Sequence, residues 1–463
     1  MRIGPVMIAA GVTAALGFAS LALFGVKSIG NFGLSCAFGI MSAVVLEMTF
    51  IPALRALLPA PKRLQKAEGL TKKILSAFES AVLRHGGRAI FIGSGVLLAL
   101  ALAGAVQIRT YGSTREYMPE QSTPRLHLEE IERHFDGTVT MTMLYEGPAG
   151  SAKSMEVLRH MAALQQELEK NPLVLRTASF ADLVKTLHET FNPEDPEPYR
   201  IPDTQELISQ LVFLGDSPAF ERFTDREQSK ALLMAYLRDD DSALVGPLVR
   251  HVEDWVADHP LPDTKVLVAG GVGPSVLAIN EHTTWGKLLN MVSVMATIYL
   301  VSSIALGSPL AGLYVVSPIA ATVLVLFGLL GWSGIRLDMG SATTISMAAG
   351  VGADYAIYFL YRLREEFRRT HSDAEAMHVA MHTSGRAILF VAMSIAAGFA
   401  VLGITEYFGL WLFGVGMPLA MLVSSLASLS IMPALAMRTR PRFIFGERAV
   451  DGAREGELVQ AAG

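Results

Sequence analysis

Apolar residues run almost unbroken through eight stretches of the chain: 5–26, 32–54, 89–107, 287–305, 311–331, 339–361, 387–405 and 411–435. At about 1.5 Å per residue, each is a helix of the length that crosses a hydrocarbon core about 30 Å thick. Only Met1–Gly4 precedes the first stretch. A cleaved leader is the competing reading, but the stretch is long and no A-x-A exit separates it from the next membrane helix. Loop 306–310 is very short, which makes the fourth and fifth spans an antiparallel pair.

Between the third and fourth spans the pattern changes. Residues 138–147 (TVTMTMLYEG), 174–180, 229–237 and 264–270 read as strands. In 152–170, Met155, Leu158, Met161, Leu164 and Leu168 fall near one helical face. Further helices are predicted at 181–191, 204–214 and 243–259, with a Pro-rich acidic loop at 192–202. The order β-α-β followed by β-α-β suggests an α+β domain of the split-βαβ kind across 108–285. Gly270–Pro274 marks the return to the membrane, with a helix from about 275 running into the fourth span.

Composition sharpens this picture. The chain is 51% hydrophobic and 17% charged, well below the roughly one-quarter charged residues of a soluble domain. Charge is segregated: 109–285 carries a net of −13, which leaves +8 for the rest of a chain that totals −5. Basic residues crowd the short loops, the positive-inside arrangement. The acidic domain 108–285 is therefore expected outside, periplasmic or extracellular, with both termini cytosolic. The expected parts are two spans in 1–57, a basic cytosolic linker at 58–88, one span at 89–107, the domain at 108–285, five spans in 286–437 and a cytosolic tail at 438–463. An amphipathic helix at 68–83 of the linker is expected to lie on anionic lipid. The single cysteine, Cys36, excludes an intramolecular disulfide and any CxxC site. The domain shows no metal-spaced cluster and no nucleophile motif, so no metal, cofactor, nucleic acid or enzymatic activity is expected. Without a GxxxxGK[ST] motif there is no P-loop for ATP, which leaves an ion gradient as energy source.

One residue stands against its surroundings. Asp354 lies within the apolar stretch 339–361, about 12 Å from the charged helix end at Arg362. A carboxylate there costs about 2.5–3.5 kcal/mol by insertion scales, and taking up a proton relieves that cost. An acid that alternates between charged and neutral is a relay; the other reading is a static acid held by hydroxyls or a basic partner. Gly350 and Gly352 permit a close helix approach near it. Thr343, Thr344 and Ser346 either line a hydrated path or bond back to their own helix. Ser394, on the next predicted span, is a further relay candidate. Glu47, near the inner end of the second span, either snorkels or pairs with Arg55.

The first and last pairs of spans match without a gap at an offset of 381 residues. Gly4 matches Gly385, Thr13 matches Ser394, Gly17-Phe18 matches Gly398-Phe399, and Leu21 matches Leu402. Phe32-Gly33 matches Phe413-Gly414, and Pro52-Ala53-Leu54 matches Pro433-Ala434-Leu435. Parallel repeats about an axis normal to the membrane are a transporter architecture. The second copy has six spans and a domain, while the first has only its last two spans. A partner chain, or a missing upstream half, is expected to supply the rest.

The run Gly350–Phe367, with its Asp354-Tyr355 pair and R-x-R-E-E turn, the run Ser384–Leu402 and the two Pro-Ala-Leu helix ends resemble the RND superfamily. The likeness is to its lipid- and hydrophobe-exporting branch, the MmpL-like and hopanoid-exporter-like proteins. The resemblance implies an RND-type fold, here partial, with a porter-like outer domain in the bacterial inner membrane. It further implies proton-driven export of a lipid or other hydrophobic molecule, with Asp354 and Tyr355 in the tenth-helix half of the relay. The alternative is a lipid-sensing or scaffold membrane partner that transports nothing.

Overall fold

The computed structural model describes residues 4–24, 27–58, 69–83, 87–108, 118–135, 137–215, 220–337 and 339–446. The chain divides into two compact units, one made of Met1–Thr110 with His282–Gly463 and one of Tyr111–Glu281. The first unit begins with α1 (Gly4–Ala19), which closes in a tight 3-10 turn at Ser20–Phe24, then α2 (Lys27–Leu57), α3 (Leu70–Leu83) and α4 (Arg88–Ala105).

The second unit opens with an amphipathic helix, α5 (Thr123–Phe135), that the strand-and-helix pattern did not mark. β1 (Val139–Glu146), α6 (Met155–Leu168), β2 (Val174–Ser179), α7 (Phe180–Phe191), α8 (Gln205–Leu214), β3 (Lys230–Leu237), α9 (Ser242–Asp258) and β4 (Lys265–Gly270) follow. The strands form one antiparallel sheet in the order β2-β3-β1-β4. β3 is thus inserted between β1 and β2, the split βαβ arrangement. Alternation along β1 sends Met141, Met143 and Tyr145 into the core, where they meet Leu158, Met161, Leu164 and Leu168 of α6. Ser154 caps α6 by accepting from the Val157 amide, and Ser179 with Asp182 makes a capping box on α7.

His160 of α6 is held in one neutral tautomer. Its Nδ1 lies 2.9 Å from the Tyr145 hydroxyl, a donor, and its Nε2 lies 2.9 Å from the His259 carbonyl oxygen, an acceptor. Burial pushes this imidazole below the usual histidine range. The unfolded chain therefore binds the proton first as pH falls, so the contribution is present above about pH 6.5 and lost below it. Unfolding of this unit, followed by pulse proteolysis, is expected to become easier from pH 7.5 to pH 5. His160→Gln is expected to flatten that slope.

α10 (Val272–Leu306) begins in the second unit and belongs to the first from His282. The first unit continues with α11 (Pro309–Ser333), α12 (Met339–Thr370), α13 (Asp373–Ala380), a wide π turn at Met381–Gly385, α14 (Arg386–Ala400) with a 3-10 end at Val401–Ile404, and α15 (Phe408–Thr439). Among the described residues, six helical segments are long and apolar enough to cross a membrane: Lys27–Leu57, Arg88–Ala105, Leu289–Leu306, Pro309–Ser333, Asp373–Ile404 and Phe408–Thr439. This is a polytopic α-helical membrane protein. Two of the eight predicted spans fall outside that set. The apolar part of α1, Met7–Leu23, is shorter. α12 is not apolar enough, because glycines, hydroxyls and Asp354 interrupt it. The physical reason is enclosure: α12 packs on α1, α11 and α15, and every residue from 341 to 350 is buried. A helix shielded from lipid by other helices does not need an apolar surface.

The linker helix α3 departs from the lipid-lying expectation. Leu75 and Val82 on its apolar stripe are buried in the same core as α12–α15 rather than left for a bilayer. Lys62, Arg63 and Lys66 of the linker lie outside the described residues.

Candidate functional site

The site is built where α1 and α15 close on opposite faces of α12. Gly17 of α1 meets Gly350: a Cβ placed on Gly17 would lie 3.0 Å from the Gly350 Cα. On the other face Ser424 of α15 donates to the Gly352 carbonyl oxygen at 3.2 Å. The Ser424 Oγ occupies the space that a side chain at 352 would need. The two glycines that precede Asp354 thus serve two different neighbours.

One turn beyond Gly350, the Oδ1 of Asp354 is buried with no hydrogen-bond partner among the described residues. An orphaned buried acceptor costs about 1–3 kcal/mol, and more when charged. Tyr358 follows Asp354 by one helical turn on the same helix, while Glu47 of α2 is exposed. The local arrangement is a buried acid one helical turn from a phenol.

Tyr355 points elsewhere. It is buried, and its hydroxyl lies 3.5 Å from the Met421 Sδ of α15. Ser394 is not brought to Asp354. It is exposed on α14 and donates to the Phe390 carbonyl oxygen at 2.8 Å. Its repeat counterpart Thr13 is fully buried on α1, the helix that packs on α12, and donates to the Ala9 carbonyl oxygen at 2.7 Å. Thr343, Thr344 and Ser346 are all buried. Thr344 bonds back to the Gly340 carbonyl oxygen at 2.9 Å. With Leu326, Leu330, Trp411 and Leu419 it lines a cavity of about 230 Å³ between α11, α12 and α15. A second cavity of about 290 Å³, with Val12, Val301, Ile357 and Tyr361 in its wall, lies between α1, α10 and α12. Both are walled mainly by apolar side chains, so the hydroxyls border a greasy space.

The sequence repeat is a structural one. α1 and α14 both end in a 3-10 turn at matching positions, Ser20–Phe24 and Val401–Ile404. Thr13 and Ser394 both bond to the carbonyl four residues back. Gly33 abuts Leu21, and Gly414 abuts Leu402. The two copies differ in what covers them. Gly17 packs on Gly350, whereas a Cβ at Gly398 would meet nothing within 4 Å among the described residues.

Sequence reasoning missed Thr13 and Ser424 as neighbours of this helix and Tyr358 on the helix itself. The four-residue spacing from Asp354 to Tyr358 was a usable signal, and so was the match of Thr13 to Ser394. A separate cluster offered the His-x-x-x-His spacing of His378 and His382. Glu79 of α3 meets His378 of α13 and His382 of the π turn, and their ligand atoms all lie within 4.8 Å of one another. This is the group of described residues arranged to hold a metal ion.

Residues 1–85 and 122–452 match the MMPL family. A membrane protein of Methanocaldococcus jannaschii is 21% identical over 317 residues, covering 66% of this chain and 79% of that protein. The hopanoid transporter HpnN of Burkholderia multivorans is 29% identical over 317 residues, covering 63% of this chain and 35% of the transporter. The cryo-EM structure of the hedgehog release protein Disp from the water bear Hypsibius dujardini aligns with a TM-score of 0.61 at 12% identity. It covers 94% of this chain and 58% of that one. The chain therefore spans about a third of the hopanoid transporter and somewhat over half of the Disp structure.

Proposed function

This chain belongs to the MMPL family, and we propose that it exports lipids or other hydrophobic molecules from the bacterial inner membrane, driven by protons that load and unload Asp354. The carrying observation is the buried Oδ1 of Asp354, without a hydrogen-bond partner among the described residues, on a helix enclosed by protein. Protonation removes a buried charge. Loss of that charge changes which packing of α12 against α1 and α15 is lowest in energy, and that change is the coupling step. The acidic unit 111–281 faces outward as a porter-like domain, and the basic loops face the cytosol. The apolar cavity beside Thr344 suits an acyl chain or ring system rather than an ion. Similarity to the hopanoid transporter supports a lipid-like cargo.

The working unit contains a second helix of the α12 kind, seated on α14 where α12 sits on α1. The open space at Gly398, where the matched Gly17 is covered, supports this reading. Gly398→Leu is expected to leave the thermal midpoint of this chain alone unchanged and to abolish transport by the complete assembly. A fall in the midpoint would place the residue in this chain's own packing instead.

The test is a proteoliposome carrying the complete assembly and a fluorescent lipid. Efflux is expected to rise with an imposed pH gradient and collapse with a protonophore. Efflux indifferent to the gradient overturns the proposal and favours a lipid-sensing or scaffold role.

A further inference from the structure

The relay makes no use of the three side chains gathered at the basic end of the transmembrane unit. His378 Nδ1 lies 3.0 Å from Glu79 Oε1, and His382 Nε2 lies 3.0 Å from Glu79 Oε2. The two imidazole rings are 4.5 Å apart. They come from a His-x-x-x-His pair that enters the π turn Met381–Gly385. Such turns recur at functional sites.

Glu79 is out of place unless it has a task. Leu75, Glu79 and Val82 share one face of α3, and Leu75 and Val82 are each 1% exposed. A carboxylate in the middle of a docking stripe costs stability unless something neutralises it. Its side chain is 17% exposed, and that of His382 is 22%. The apolar residues on either side hold it in place before any ligand arrives. His378 is 61% exposed, which leaves the fourth side of the cluster open to water.

Two imidazole nitrogens and a carboxylate form a donor set suited to zinc and its neighbours. Bonds of about 2.0–2.1 Å in a tetrahedron set donors about 3.3–3.4 Å apart. The two 3.0 Å histidine–carboxylate separations open by a few tenths of an ångström to fit, and the two imidazole donors, within 4.8 Å of each other, close to the same spacing by side-chain rotation. We propose that Glu79, His378 and His382 bind a divalent zinc-class ion, with water as fourth ligand, and that the ion clasps α3 to the foot of α14. Because α14 packs on α15, an ion held there ties the linker to the helices that flank α12.

The experiment uses the full chain purified in detergent and stripped with chelator. Cobalt(II) is titrated first, then zinc against a chromophoric competitor, with metal content read by elemental analysis. One equivalent is expected, with the visible absorption of tetrahedral cobalt and a thermal midpoint that rises with zinc. Glu79→Gln and His382→Gln should each weaken zinc binding by at least about 10–100-fold, since losing a ligand costs no less than losing a supporting partner. No stoichiometric uptake at micromolar free zinc overturns the proposal, as does uptake unchanged in the triple Gln variant. Should that variant fail to fold, His378→Gln, at the exposed ligand, decides in the same way.

Discussion

Asp354→Asn is expected to abolish gradient-driven transport by the complete assembly while this chain keeps a thermal midpoint at or above the wild type. Asparagine matches the protonated carboxyl in shape but cannot release a proton. One elementary charge crossing 100 mV supplies about 2.3 kcal/mol, which supports an accumulation ratio of about fifty at 1.36 kcal/mol per decade. The variant is expected to lose at least that ratio. The stability half of the prediction separates a relay from a structural acid. The Asp354 Oδ1 has no partner among the described residues, so replacing the carboxyl removes a desolvation cost without breaking a bond. A static acid held by hydroxyls would show the reverse, with the midpoint falling and transport surviving. Accumulation in proteoliposomes and a thermal scan of the same preparation read both halves.

Gly352→Leu is expected to separate α12 from α15 and destabilise the transmembrane unit by about 1–3 kcal/mol, the usual cost of overpacking. A Cβ at 352 would fall on the Ser424 Oγ and lie 3.1 Å from its Cβ, and both helices are fixed by other contacts. The added bulk also threatens the 3.2 Å hydrogen bond from Ser424 to the Gly352 carbonyl oxygen. Gly350→Ala should cost less, because a Cβ there meets nothing nearer than 3.7 Å. Paired with Gly352→Ala, Ser424→Gly is expected to recover part of the loss, a coupling of about 1 kcal/mol between residues in contact. Additive thermal midpoints for that pair would show that the two positions do not press on each other.

Within the α+β unit, local pattern carried far. Alternation placed strands at 138–147, 174–180, 229–237 and 264–270, and the sheet has them at Val139–Glu146, Val174–Ser179, Lys230–Leu237 and Lys265–Gly270. α5 was not marked, and its apolar positions Leu126, Ile131 and Phe135 are exposed in the structure and add nothing to the core of this unit. In the transmembrane unit Asp354 stood out because a charge in an apolar run is costly wherever the helix packs. The repeat was equally visible, since a constant offset needs no knowledge of packing.

What the sequence by itself determined about this protein was the set of elements, the repeat and the one acid that opposes its surroundings. All three follow from period, spacing and the cost of burying charge, which are properties of a stretch of chain. Only the tertiary structure decided which copy of the repeat covers α12, and with it that Thr13 is buried there while Ser394 faces outward. It also decided that Tyr355 turns to Met421 and that α3 docks on protein through a stripe holding Glu79. Each of these depends on which helix surfaces approach closely. Glycines and small side chains far apart in the chain set that approach, so no window of sequence contains it.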